Sequence, residues 1–147
     1  MDALLTSKDF PRWTKARLGL PLTASLEEEI DREIIRAEDH VRAIISDAKF
    51  DELAEDTEAN ANRRRRFQAA IHALVEAALH HSEAETLGQR SGSSTQGRRS
   101  RTIGPGAWRS ARAASTRAYR HYVETMFHLG LTVRDTALGV YETRIRL

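Results

Sequence analysis

The chain has 147 residues, 40% hydrophobic and 30% charged, a length that suits one domain, and it has no Cys, which excludes disulfides, thiolate metal centres and cysteine nucleophiles. No apolar run nears the roughly 18 residues that span a bilayer, so no transmembrane helix is expected; Met1 to Thr6 lacks a basic segment followed by an apolar one, so no signal peptide is expected either. A net charge of +2 hides a division: residues 1–60 carry 8 Lys/Arg against 15 Asp/Glu, and residues 61–147 carry 15 Arg against 6 acids.

Thr6 to Arg17 reads as a short helix. Pro11 is tolerated only in a first turn, which makes Asp9 a better cap than Thr6. Phe10, Trp13 and Ala16 or Arg17 then share a face, and Gly19-Leu20-Pro21 stops the helix. Ser25-Leu26-Glu27-Glu28 reads as a capping box that opens a second helix. Leu26, Ile30, Ile34, Ala37, Val41, Ile44 and Ala48 form its apolar stripe, with an end near Ala48. An acidic link follows from Phe50 to Asn62.

A third helix starts near Asn62, with Phe67, Ile71, Leu74, Val75, Ala78 and Leu79 as its stripe. It ends by Leu87, with Gly88 as a left-handed C-terminal residue. Residues 88–106 are rich in Gly, Ser and Arg, a composition expected to be flexible without partners. The last long helix runs from Ala107 to about His128 and stops at Gly130. Trp108, Ala111, Ser115, Tyr119, Tyr122 and Met126 form one stripe, and Arg109, Arg112, Arg117 and Arg120 occupy the other faces. From Val140 the chain alternates, with Tyr141, Thr143, Ile145 and Leu147 on one side, as in a strand. No other strand is evident, so its pairing partner is expected in another molecule. The fold expected is therefore all-α: three main helices plus a short N-terminal one (core about 7–87 and 107–128), a basic loop at 88–106 and an extended tail at 131–147. The 21 Ala residues and 6% aromatics agree with close helix packing.

No complete catalytic constellation emerges. His80 with Glu76 and Glu83 shares a helix face, but such a trio is common by chance, and no metal is assigned. His121 and His128 read as surface or core edge. Gly92 and Gly97 imitate a phosphate loop, yet Arg98 and Arg99 stand where Lys and Ser/Thr are needed. Ser91, Ser93 and Ser94 lack a nucleophile-elbow pattern and an adjacent base. The chain is read as no enzyme, with no cofactor.

The charges carry more information. Arg outnumbers Lys 20 to 3, which a GC-rich genome explains, but base composition does not explain the segregation of sign. Segregation suggests a polyanion, an acidic protein surface, or head-to-tail association of the acidic half of one copy with the basic half of the next. Arg63-Arg64-Arg65-Arg66 is the strongest run. It spans all faces of a helix, so the four cannot all meet one surface. A protein interface is favoured over phosphate contacts; a solvated first turn, or salt bridges to the acidic helix at 27–39, is the plainer reading. Expected interface residues are Arg63, Arg64, Arg65, Arg66, Arg98, Arg99, Arg101, Tyr141, Ile145 and Leu147, with Glu27, Glu28 and Asp31 on the acidic side.

The order of elements resembles the head-tail connector (adaptor, head-completion) proteins of tailed bacteriophages. Leu4-Leu5-Thr6-Ser7-Lys8-Asp9-Phe10 is similar to the opening of many such proteins, a leucine, a threonine, two residues, an aspartate and an apolar residue. The capped acidic helix follows, and Ser82-Glu83-Ala84-Glu85-Thr86-Leu87-Gly88-Gln89-Arg90-Ser91 is similar to the family's helix end before a Ser-rich loop. Pro11, Pro21 and Gln89 depart from the pattern. The resemblance covers about residues 4–92, and the arrangement alone continues to about 128. It implies a structural virion protein: a homo-oligomeric ring, commonly of twelve, beneath the portal protein, presenting a platform to the stopper or tail protein. It places the chain in the neck of the virion, and in the host cytoplasm during assembly, with non-specific contact to DNA in the channel and none to membrane. The alternative is a small basic nucleic-acid-binding or DNA-packaging accessory protein.

Overall fold

A computed structural model describes residues 3–16, 24–91, 105–131 and 133. Among them are α1 (Pro11–Ala16), α2 (Ala24–Ile45), α3 (Asp47–Ala54), α4 (Ala61–Ser91) and α5 (Pro105–His128), with 3-10 turns at Ser7–Asp9 and Glu58–Asn60. The described residues are mostly helical and include no strand, in keeping with an all-α chain. The alternating segment at 140–147 lies outside the described residues, as do most of the expected basic loop and its Gly92 and Gly97. No described helix is long and apolar enough to cross a membrane.

The long helix α4 is the centre. Phe67, Ala70, Ile71, Ala73, Leu74, Val75, Ala77, Leu79 and Ala84 are all buried, too many directions for one stripe, because α2, α3 and α5 all pack on it. Its closest partner is α5. Gly88 lies against Trp108, and the Ser115 hydroxyl donates to the Ala77 carbonyl at 2.7 Å. The contact descends α4 as it ascends α5, so the two helices are antiparallel. Small residues along the seam, Ala77, Ala84 and Gly88 on one side and Ala111 and Ser115 on the other, let the backbones approach closely. The expected α5 stripe is the buried one: Ala111, Ser115, Tyr119, Tyr122 and Met126 are buried and Trp108 is half-buried. Gly130 stops the helix as expected. At φ 76° it is the left-handed residue of a Schellman motif, with Gly130 N–H on the Phe127 carbonyl and Leu131 N–H on the Met126 carbonyl.

Four expectations need correction. Asp9 does not cap the first helix. It closes a reciprocal turn with Thr6, accepting from the Thr6 backbone N–H at 2.8 Å, while its own N–H reaches the Thr6 carbonyl at 3.0 Å. Pro11 then opens α1, where its missing N–H leaves no bond unmade. Ser25 does not precede α2, which begins at Ala24, a residue of high helix propensity. The second helix does not run to Ala48. It breaks at Ser46 (φ 74°), and the supposed acidic link folds as α3, which buries Phe50 and Leu53. Arg42 fastens this corner, reaching Asp47 at 3.4 Å and Asp51 at 3.1 Å, with its guanidinium 3.9 Å from the Phe50 ring centroid. Asn60 then closes the end of α3, its amide donating to the carbonyls of Glu52 and Glu55.

Gly88 is the fourth. α4 passes through it to Ser91, and Gly88 has no left-handed φ. The position needs glycine for a different reason: a Cβ there would sit 3.1 Å from Trp108 Nε1 and 3.2 Å from its Cδ1. Gly88→Ala therefore sets a gain in helix propensity of roughly 1 kcal/mol against a few tenths of an ångström of indole displacement, and its melting temperature should stay close to that of the parent. Gly88→Leu has no room beside the indole and should lower the midpoint clearly in a thermal melt followed by circular dichroism.

Candidate interaction surfaces

The N-terminal segment is held on α4 by two histidine–aromatic contacts. Phe10 stacks on His72 with centroids 4.3 Å apart, and Trp13 meets His80 edge-on at 4.6 Å. His72 Nε2 also lies 2.8 Å from the Asp9 carbonyl oxygen, and the Gln68 amide donates to the Leu4 carbonyl at 3.0 Å. Leu4, Leu5, Phe10 and Trp13 are buried as a result. The opening residues thus form a folded cover over α4, with His72 and His80 packed against their rings.

His80 is buried, and burial first, then the Arg12 and Arg117 charges, push its pKa down to about 4. Its Nδ1 stands 3.8 Å from Glu83 Oε2, and Glu76 faces His72 instead, at 3.9 Å. The expected His80, Glu76 and Glu83 face therefore does not converge, and no group of three ligand-type residues able to hold a metal occurs among the described residues. His121 and His128 are exposed. The described clefts are small. One of about 110 Å³ lies between α2 and α4, lined by Glu33, Arg36, Ala37, His40, Leu74 and Ala78. A more open one lies under Leu4, Leu5 and Asp9 against Gln68, Ala69 and His72. Neither holds a Ser, Thr, Cys or Lys side chain to serve as a nucleophile.

The arginine run divides. Arg63 reaches Glu52 at 3.4 Å, and Arg64 reaches Asp56 at 3.2 Å while its Nε donates to the Ala54 carbonyl at 3.0 Å. Both tie the start of α4 to α3 and the turn after it, and not to the acids at 27–39. Lys49, hydrogen-bonded to Glu52, holds that carboxyl below its usual range, with a smaller contribution from Arg63. Arg65 and Arg66 are exposed and have no partner among the described residues. Glu27, Glu28 and Asp31 are exposed on α2 as expected. Arg98, Arg99, Arg101, Tyr141, Ile145 and Leu147 lie outside the described residues.

Two exposed residues escaped the sequence reading. Ile35 is 57% and Phe127 72% exposed, the large apolar side chains left in solvent among the described residues. Each stands one position beyond a stripe residue, Ile34 or Met126, and a helix turns by about 100° per residue, so each points away from the core. Ile35 sits among Glu28, Asp31, Arg32 and Asp39. Phe127 sits on the outer face of α5 with Arg117, Arg120 and Glu124. All of these charges are exposed.

Two outcomes follow. Arg64→Ala removes a carbonyl bond and a half-buried ion pair and should cost on the order of 1 kcal/mol in urea unfolding, whereas Arg65→Ala and Arg66→Ala should each change stability by less than about 0.5 kcal/mol. A His whose folded pKa lies below its unfolded value of 6.5 leaves stability complete above that pH. Stability falls as the pH drops from 6.5 toward about 4, because the unfolded chain takes up the proton first. Unfolding free energies from urea titrations across that range should decline by at most roughly 3 kcal/mol from this group, and His80→Leu should flatten the decline.

Comparison with known protein families, with curated proteins and with solved structures finds no match to this chain.

Proposed function

We propose that the chain is a structural head-tail connector of a tailed-phage particle, a homo-oligomeric adaptor that sits beneath the portal protein and links the DNA-filled head to the stopper or tail protein. The reading involves no catalysis and no cofactor. The observation that carries it is the bias of exposed charge by helix: Glu27, Glu28, Asp31 and Asp39 outnumber Arg32 and Arg36 on the outside of α2, and Arg109, Arg117 and Arg120 outnumber Glu124 on the outside of α5. Two faces of opposite predominant sign on one small chain suit contacts that repeat from copy to copy. The opening motif supports the same reading. Leu4 to Phe10, the stretch that resembles the connector family, forms the self-bonded turn fastened to α4, so its leucines, aspartate and apolar residue serve folding in this chain.

Exposed Arg65 and Arg66 favour a second reading, a basic nucleic-acid-binding accessory protein. Size exclusion with light scattering, on the chain alone and mixed with the portal of its particle, separates the two when paired with a salt titration of DNA binding. A connector should reach a mass that is a multiple of the 16.6 kDa chain, alone or on the portal, with only weak DNA binding. A monomer that ignores the portal and binds DNA with affinity falling steeply with salt would replace the connector reading by the second.

A further inference from the structure

The outer faces of α2 and α5 carry the same spacing with the signs exchanged. On α2 the exposed residues Glu28, Arg32 and Ile35 fall at i, i+4 and i+7; on α5 the exposed residues Arg120, Glu124 and Phe127 fall at the same steps. Residues so spaced line one side of a helix. None of the four charged side chains is in an ion pair with a described residue. Arg32 uses only its Nε, on the Glu28 carbonyl at 3.2 Å. Each pattern ends on one of the two large apolar side chains exposed among the described residues.

We propose that these two stripes are the copy-to-copy contact: α2 of one subunit lies parallel to α5 of the next, with Glu28 opposite Arg120, Arg32 opposite Glu124, and Ile35 against Phe127. The inference rests on the self-assembly in the connector reading and specifies its surface. The occupant is a second copy of this chain because every position on one stripe finds its complement on the other. Reversing the direction of one helix while keeping Ile35 on Phe127 would leave both ion pairs unmade. Asp31 and Asp39 add negative charge beside the first stripe, and Arg117 adds positive charge beside the second. Exposed ion pairs contribute little energy and mainly set register; covering Ile35 and Phe127 contributes most of the attraction. Because the two surfaces differ, the contact is head-to-tail and repeats from copy to copy, the interface type from which a closed ring is built.

The cysteine-free chain makes a clean test. Ile35→Cys and Phe127→Cys are made singly and treated with a short bis-maleimide, at high protein concentration and with the portal present. The mixture of the two single variants should give a cross-linked dimer, and neither variant alone should. In the uncross-linked chain, Glu28→Arg or Arg120→Glu should each weaken assembly by about tenfold or more, and the two together should restore it. Cross-linking of one single variant with itself would mean a twofold contact and overturn the proposal. Assembly without any cross-link, unmoved by the reversals, would overturn this contact and leave the connector reading standing. A chain that stays monomeric in every condition, portal included, would overturn both.

Discussion

The antiparallel packing of α4 on α5 sets how closely two backbones must approach, and the other elements are arranged around that distance. Gly88 and Ala77 present little or no side chain to α5, so the Trp108 indole rests on one and the Ser115 hydroxyl reaches the carbonyl of the other. A buried hydroxyl without a partner is costly, and this one is satisfied across the helix pair. With α5 covering one side of α4, the remaining apolar positions of α4 receive α2, α3 and the N-terminal turn. This explains why α4 is buried over so much of its circumference, and why His72 and His80 are matched to the rings of Phe10 and Trp13.

What the sequence made legible was periodicity. The stripes of α2, α4 and α5 and the stop at Gly130 follow from apolar spacing and glycine chemistry. The corner at Ser46 was not legible, because neither Gly nor Pro marks it. It exists because Phe50 and Leu53 gain burial only if the chain turns there, with Arg42 bridging the turn. Gly88 was visible as a special position but for the wrong cause: a glycine near a helix end reads as a left-handed cap, whereas here a tryptophan 20 positions away demands the space. The turn formed by Thr6 and Asp9 carried its signal, a hydroxyl and a carboxylate three residues apart, but the proline after it drew attention to the wrong boundary.

The candidate surface was legible in part. Segregation of sign is a property of composition along the chain and needs no structure. Which charges remain available does need one: Arg63 and Arg64 are spent within the subunit, Arg65 and Arg66 are not, and the run looks uniform until α3 is in place. Ile35 and Phe127 lay hidden beside their buried neighbours. The sign-exchanged spacing becomes meaningful only once all six of its residues stand in solvent. The exposed charge is mostly acidic on α2 and mostly basic on α5, with Arg32 and Glu124 as the minority signs.

The central claim is that this chain is a repeated structural part of a particle's neck. Electron microscopy of the native particle, with the chain marked by a specific label, tests it most directly. The account predicts label confined to the junction between head and tail, with rotationally symmetric density beneath the portal. Particles that are complete yet lack the chain, or label spread over the head shell, would contradict it.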